Sequence, residues 1–467
     1  MRKCLPYVMP FLMMAADIAA IITAILIALS MRHLCDGYIV ANLYWRLAPS
    51  LVLFPIVYAA LRLYPGVLLS PPEELKKLSL GVSLVFLTLG GVTFFSRDAA
   101  LYSRGAFILA WLVSLMVAPM ARTLVRSLFS RKPWWGYPVV VVGTDDTARA
   151  LVRTLQLRPR LGLRPVAVHP CPGDIFHEDF VEGVAVVRDP EDIARLGRTA
   201  NSFAAISGSC LLAEDRHTVL DSLARAFKHV IILPQTLGRT SLWATALDVG
   251  GLLGLLVRHN LLDGRRLAMK RFMDLSLTLV GGLVALPLCL VIALLIRLES
   301  RGPALFKQRR IGLNGKPFNV WKFRTMVPNA EQLLEEYLAS NPEYKQEWLS
   351  CQKLRRDPRV TRIGRFLRST SLDELPQLVN VLRGELSLVG PRPIVEAEID
   401  RYRDGYHHYT RVKPGITGLW QISGRNLVSY DKRIDLDTYY INNWSIWFDI
   451  YILARTIPVV ITRQGAC

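Results

Sequence analysis

The stretch Thr370-Ser371-Leu372-Asp373-Glu374-Leu375-Pro376-Gln377-Leu378-Val379-Asn380 sets two adjacent carboxylates at the mouth of an apolar helical pattern. Arg355, Arg356, Arg359, Arg362, Arg365 and Arg368 precede it, and Leu388-Val389-Gly390-Pro391-Arg392-Pro393 follows. Carboxylates among so many guanidinium groups predict a site that handles phosphate, with a divalent metal to manage the negative charge. Ser371-x-x-Glu374 also fits a helix capping box, in which the acidic pair would merely complement the helix dipole. Pro376 complicates that box. Proline suits a first helical turn, so the spacing predicts a helix starting near Leu375, with Asp373 and Glu374 exposed just ahead of it.

The totals narrow the class. A chain of 467 residues has room for two or three domains, and 51% hydrophobic content beside a formal charge of +19 is unusual for a soluble enzyme. Apolar spans with basic flanks fit a membrane protein that meets anionic lipid or phosphorylated substrates. Nucleic acid is the competing partner for such charge, but no zinc-finger, homeodomain-like or RNA-recognition signature is present, so none is expected. The seven cysteines are scattered without a C-x-x-C, and neither a disulfide framework nor a zinc site follows from them.

Working back toward the amino terminus, apolar runs at roughly 7–31, 47–69, 78–96 and 105–121 each approach the length of a membrane helix, about 20 residues. Asp17 lies inside the first and must find a helix partner or an interface. Basic residues before the first run and after the fourth place both ends of this set on the cytoplasmic side. Residues 137–235 alternate strand-like and helical stretches, beginning with the buried strand Pro138-Val-Val-Val-Val142-Gly143, and predict a small open α/β domain. Its first turn keeps one glycine of a dinucleotide fingerprint, but Asp145 stands where the second glycine would let a pyrophosphate approach. A scaffold, dimerisation or sensing role therefore competes with nucleotide binding. A fifth apolar segment, Phe272–Leu298, is interrupted by Pro287 and basic on both flanks, which predicts a helix that enters the membrane and returns. The plain alternative is a proline-kinked span. Residues 329–349 read as an amphipathic helix, and Trp444–Leu453 as an aromatic helix lying in the membrane interface or packed in a core.

The last third carries a series of motifs: Lys270-Arg271-x-x-Asp274, Gly302-Pro303-x-x-Phe306-x-Gln308-x-Arg310-x-Gly312 and Lys322-Phe-Arg324-Thr-Met326. Asp357-Pro-Arg359-Val-Thr361, Ser371-Leu-Asp-Glu-Leu-Pro-Gln377, Gly390-Pro-Arg-Pro393, Pro414-Gly-Ile-Thr-Gly418 and Asp437-x-x-Tyr440 with Asn443-Trp444-Ser445 continue it. In order and spacing these resemble the polyprenyl-phosphate sugar-1-phosphate transferases, the bacterial sugar transferase family, over about residues 262–467. The amino-terminal spans and the α/β domain resemble the long form of that family, with its galactose- and glucose-specific members.

The resemblance implies an α/β membrane protein: a four-helix transmembrane bundle over 1–130, a Rossmann-like α/β domain over 137–240, a connector over 241–262, and a mostly helical catalytic domain over 263–467 with a re-entrant helix over 272–298. It implies that Asp373 is a nucleophile toward a UDP-sugar and Glu374 a Mg²⁺ ligand, with Asp373 beside the same ion. Undecaprenyl phosphate would then accept the hexose-1-phosphate, with UMP as the other product. Lys322, Arg324, Arg359, Arg368 and Arg392, the last fixed between Pro391 and Pro393, are the expected phosphate-binding groups, and Asp437 a further substrate contact. Each of these basic residues could instead be a solvated surface charge. The resemblance further implies the bacterial inner membrane, a cytoplasm-facing site, contact with membrane lipid, and the first membrane step of O-antigen, capsule or exopolysaccharide synthesis. Galactose is expected ahead of glucose, and a homodimer is expected. A non-catalytic membrane-anchored regulatory or assembly protein, and a diphosphatase, are the competing classes.

Overall fold

The computed structural model describes residues 7–35, 44–45, 47–95, 102–171, 176–197, 202–211, 223, 226–233, 244–249, 252–257, 261, 263–340, 344, 357–403, 405–424 and 428–462. The chain divides into two compact units, Met1–Leu237 and Gly238–Cys467.

In the first unit, α1 (Val8–Leu34) pairs with α4 (Arg104–Phe129), helped by α2 (Leu53–Ala60) and α3 (Pro71–Phe95). Ala20, Ala24 and Ala28 on α1, and Ala106, Ala110, Ser114 and Ala118 on α4, are all buried at four-residue spacing. Small residues in such stripes let two helix backbones approach closely in an apolar setting. Asp17 finds its partner there: Arg122 Nη2 and Nε sit 2.6 and 2.7 Å from its oxygens. Glu74 then bridges Arg122 and Arg126 at 2.9 and 2.7 Å, so two carboxylates and two guanidinium groups are buried as a neutral set.

The four-helix transmembrane bundle needs correction. The run at 47–69 is helical only over Ala48–Ala60, shorter than a crossing requires. Arg62 adopts a positive φ of 56°, and Pro65-Gly66 follows, so the chain turns where an uninterrupted span was expected. Among the described residues, four helices are long and apolar enough to cross a membrane: α1, α3 and α4 here, and one in the second unit.

The same unit contains a parallel sheet of order β2-β1-β5-β6, from β1 (Tyr137–Val142), β2 (Leu163–His169), β5 (Phe203–Ser207) and β6 (His229–Leu233). β3 (Phe180–Val181) and β4 (Val184–Ala185) form a small antiparallel pair. Helices α5 (Asp146–Leu157) and α6 (Pro190–Gly197) complete the layer. β1 is buried on both faces, as a continuous valine run demands. Cys171 and Cys210, 39 residues apart, are disulfide-paired beside the carboxyl end of β1, a pairing that spacing alone does not signal.

In the second unit, β7 (Ala244–Val249) and β8 (Leu252–Val257) pair antiparallel within the stretch read as a connector. The helix α7 (Gly264–Glu299) is helical on both sides of Pro287, which lies inside it. Both its ends are tied into one layer. Near the start, Lys270 Nζ lies 2.6 Å from buried Asp449, Asp274 accepts from Ser387 Oγ at 2.7 Å, and Arg271 donates to the carbonyls of Val381 and Leu382. Near the end, Ile292 and Ile296 pack with Ala304, Phe323 and Leu367, while Glu299 accepts from the backbone N–H of Arg362 at 2.7 Å. Between them Val280, Leu283 and Val284 are exposed.

The layer itself comprises the hairpin β9 (Leu305–Ile311) and β10 (Pro317–Phe323), α8 (Ala330–Ser340), α9 (Arg362–Thr370) and α10 (Gln377–Arg383). β11 (Ser387–Val389) then pairs in parallel with β12 (Gly415–Thr417). The amphipathic pattern read over 329–349 is helical to Ser340, and most of its remainder lies outside the described residues. The chain closes with α11 (Tyr430–Asn442) and α12 (Ile446–Ile461). Trp444, Phe448 and Ile452 are buried in a cluster with Val389 and Tyr440, so this face of the aromatic helix is core rather than membrane interface.

Candidate active site

The second unit contains a cleft of about 1510 Å³ whose wall includes Lys322, Arg368, Asp373, Glu374 and Arg392. Thr361 starts α9 by accepting from Gly364 N, and Ser371 ends it with a left-handed φ of 57°. That reversal starts the single turn Leu372–Glu374, after which Pro376 precedes α10. The capping box is not formed: Ser371 makes no side-chain cap. Glu374 instead pairs with Lys322, Oε1 to Nζ 2.7 Å, reaching across to β10. The acidic pair is thus held ahead of the helix, as Pro376 foretells, though half-buried rather than exposed as expected.

Burial pushes the Asp373 carboxyl above the usual carboxylate range, and the neighbouring Glu374 charge pushes it further. Lys322 and Arg368 act in the opposite direction. Arg368 is itself steadied by a bond from Nε to Thr325 Oγ1 at 2.9 Å. Arg392 lines the cleft with its guanidinium over the Trp420 ring, 5.6 Å from the centroid. Its flanking prolines hold the turn: the Pro391 carbonyl accepts from Gly415 N at 2.8 Å and the Pro393 carbonyl from Arg310 Nη1 at 3.3 Å.

The other expected groups are placed differently. Arg324 lines the cleft, yet its Nη2 donates at 2.8 Å to both Ser300 O and Ser300 Oγ, closing the carboxyl end of α7. Arg359 also lines the cleft, with its fork on Asp357 at 2.8 and 2.6 Å. Asp437 is 1% exposed and behind the cleft, accepting from Tyr402 OH at 2.7 Å. Burial lifts its carboxyl to about 7. Arg355 and Arg356 lie outside the described residues. The lining also includes Arg310, Thr325, Thr417, Trp420 and Gln421, which sequence reasoning did not single out. Arg310 stood in a motif already quoted; Trp420 follows Gly418 by two residues and carried no separate signal.

Among the described residues no three or more His, Cys, Asp or Glu side chains gather to hold a metal. Mg²⁺ needs no such cage, since one or two carboxylates with water and substrate phosphate oxygens suffice. Asp373 and Glu374 fit that need: each raises the charge density the other must bear, and a bound cation would relieve it.

Comparison with known proteins gives the family. The bacterial sugar transferase family matches residues 265–463, and a CoA-binding domain family matches residues 65–201. The chain is 38% identical over 373 residues to the UDP-galactose-lipid carrier transferase of Erwinia amylovora, covering 78% of this chain and 76% of that protein. It is 35% identical to the undecaprenyl-phosphate galactose phosphotransferase of Salmonella typhimurium, with 78% and 76% covered. It is 33% identical to the UDP-glucose:undecaprenyl-phosphate glucose-1-phosphate transferase of Escherichia coli, with 74% of each covered.

The α/β domain does not fit a coenzyme A diphosphate at its first turn. Asp145 caps α5 there, accepting from Ala148 N at 3.0 Å and from Ser207 Oγ at 2.6 Å. Its hydrogen bonds to Ser207 and Ala148 outweigh burial and hold the carboxyl below the usual range, so a fixed anion occupies the place of a phosphate. The space a side chain would need at Gly143 is taken by Ser207 Cβ at 2.9 Å and Cys210 Sγ at 3.3 Å. In the second unit the acidic pair, the cations around it and the extended likeness to these transferases converge: the chain belongs to the bacterial sugar transferase family.

Proposed function

We propose that this protein transfers a hexose-1-phosphate, galactose-1-phosphate first among the candidates, from a UDP-sugar to undecaprenyl phosphate. The observation that carries the reading is Asp373 beside Glu374, Lys322 and Arg368 in a cation-lined cleft. Asp373 attacks the phosphorus that bears the sugar. A phosphorus–oxygen bond forms to the carboxylate, the bond to the bridging oxygen of the diphosphate breaks, and UMP departs with that oxygen. An oxygen of undecaprenyl phosphate then attacks the same phosphorus and expels the Asp373 carboxylate, leaving undecaprenyl-diphosphate-sugar. Two displacements let two polyanions use one cationic site in turn, and a carboxylate needs no base to activate it.

The chain's own groups do the positioning. Lys322 orients Glu374 and offsets charge at Asp373, while Arg368 and Arg392 offer guanidinium forks toward phosphate oxygens. Asp373 and Glu374 would hold Mg²⁺, which when bound neutralises charge on the diphosphate.

The lipid carrier keeps its tail in the bilayer and its phosphate at the headgroups. We read α7 as a helix that enters the inner membrane from the cytoplasm, bends near Pro287 and returns. Its two ends anchor in one polar layer and its middle is bare and apolar, which supports that reading. The site then faces the UDP-sugar supply, where the first membrane step of a surface polysaccharide takes place.

The test is UMP release by purified protein with Mg²⁺, offering UDP-galactose and UDP-glucose separately, with and without undecaprenyl phosphate. Lipid-dependent release, faster with UDP-galactose and abolished in Asp373→Asn, is the expected result. Equal release without lipid would make the protein a hydrolase, and full activity of the asparagine variant would remove the nucleophile.

A further inference from the structure

We infer that Trp420 is a positioning residue: its indole, held by Arg433, sets the Arg392 guanidinium toward the anion that binds at Asp373. The inference rests on the transferase reading for the identity of that anion, a nucleoside diphosphate. Pro391 and Pro393 fix the backbone of Arg392, but they leave its long side chain free to rotate. Among the described residues no carboxylate forms an ion pair with Arg392, and its guanidinium rests over the Trp420 ring. A cation stacked on an indole loses freedom before it meets its ligand, which shortens the ordering that binding must supply.

Trp420 is 5% exposed and built into the frame that carries Arg392. β11 and β12 pair Val389 with Thr417, Gly390 N donates to the Thr417 carbonyl at 2.9 Å, and the helical turn Leu419–Ile422 starts directly after. The segments bearing Pro391-Arg392-Pro393 and Trp420 therefore share one registered joint. Arg433, on α11, lies 5.1 Å from the Trp420 ring centroid and 5.2 and 5.9 Å from those of Tyr430 and Tyr402. Glu398 pairs with Arg433 at 3.4 Å and reaches Arg310, the residue that holds the Pro393 carbonyl, at 3.8 Å. Arg433 is not among the residues lining the cleft, so it acts on a ligand through its neighbours, Trp420 by stacking and Arg310 by way of Glu398.

A side chain that merely fills the core and one that positions Arg392 differ in a double-mutant cycle. Titration calorimetry would follow UDP with Mg²⁺ binding to the detergent-solubilised full chain, in the parent, W420L, W420F, R392A and the two double variants. W420L is expected to weaken UDP about tenfold, within the roughly two- to thirtyfold that a stacked cation supplies, and W420F about twofold. In the R392A background neither substitution should weaken UDP further. Thermal midpoints recorded on the same samples separate folding from binding, and W420F carries the cycle if W420L does not accumulate. Equal losses with and without Arg392, or no loss in either variant, would overturn the positioning role. A parent that binds UDP yet releases no UMP would overturn the transferase reading and leave the cycle readable, whereas a parent that does not bind UDP would overturn both.

Discussion

Lys322 Nζ lies 2.7 Å from Glu374 Oε1, and the same ammonium is one of two cations that oppose the charge pressure on Asp373. A strand end and a helical turn, 52 residues apart in the chain, thus share one electrostatic task. The pair is partly open to solvent, 21% and 32% exposed, so its worth to folding is small while its worth to a bound polyanion is large.

Lys322→Met should therefore separate activity from stability. The thermal midpoint should barely move, since a solvent-screened pair contributes about 0–1 kcal/mol. UMP release should fall by about 10²-fold in kcat/KM, the scale of losing one preorganised charge partner. Initial rates and a melting curve on the same preparation check both halves.

The pH profile tests Asp373 itself. Its carboxyl sits above the usual range because of burial and Glu374, so it stays protonated to a higher pH than a free aspartate. A protonated nucleophile is inactive, and kcat/KM should fall as pH drops, with a midpoint above 3.8 at limiting Mg²⁺ that moves down as Mg²⁺ is raised. Removing Lys322 takes away a stabiliser of the ionised form, so the limb in K322M should move to still higher pH. An unmoved limb would mean that another group controls it.

Asp437 makes the same kind of statement about stability. Burial raises its carboxyl from 3.8 to about 7, so the folded state prefers the neutral acid. Its contribution is fully present below pH 3.8 and is lost as pH rises to about 7, after which it levels off. The loss is on the order of a few kcal/mol. Asp437→Asn, neutral throughout, should abolish that part of the slope, as chemical denaturation between pH 4 and 8 would read.

The contrast between Asp373 and Asp437 explains what the sequence could and could not disclose. Asp373 was legible because its neighbours in sequence carry the information: a carboxylate beside it, arginines before it and Pro376 after it. Asp437 looked equally polar on paper, and its i,i+4 neighbour Arg433 is local, but its burial is decided by Tyr402, 35 residues away, which no local pattern encodes. Arg324 was legible as a cation and not as a partner, since Ser300 claims it only once the chain has folded, whereas Arg359 has its partner Asp357 two residues away in the quoted motif. The α/β strands announced themselves by valine runs such as 139–142. The span read at 47–69 misled because its composition stays apolar across Arg62 and Pro65, where the backbone turns.

Lys270 tests how α7 is anchored. Its ammonium bonds Asp449 at 2.6 Å and the Val389 carbonyl at 3.0 Å, with Asp449 fully buried among Tyr440 and Trp444. Lys270→Met leaves a buried carboxylate without its cation and should cost about 3–5 kcal/mol. K270M/D449N should recover part of that loss, because the uncompensated charge is gone. Denaturant midpoints of the three proteins decide it, and an additive double variant would show that the two groups do not interact.

The path of α7 through the membrane is the largest structural consequence of the proposed function. With native cysteines replaced, single cysteines at exposed Arg265 and Arg301 bracket the helix. A helix that enters and returns places both on the cytoplasmic side, so an impermeant maleimide should label both in inside-out vesicles and neither in right-side-out ones. Pro287→Leu restores the missing backbone hydrogen bond and favours a straight crossing. In that variant the two positions should label from opposite sides, and lipid-dependent UMP release should drop as the acidic pair loses its depth relative to the carrier phosphate. Opposite labelling in the parent would instead make α7 a kinked span and would require a different route for the lipid to reach Asp373.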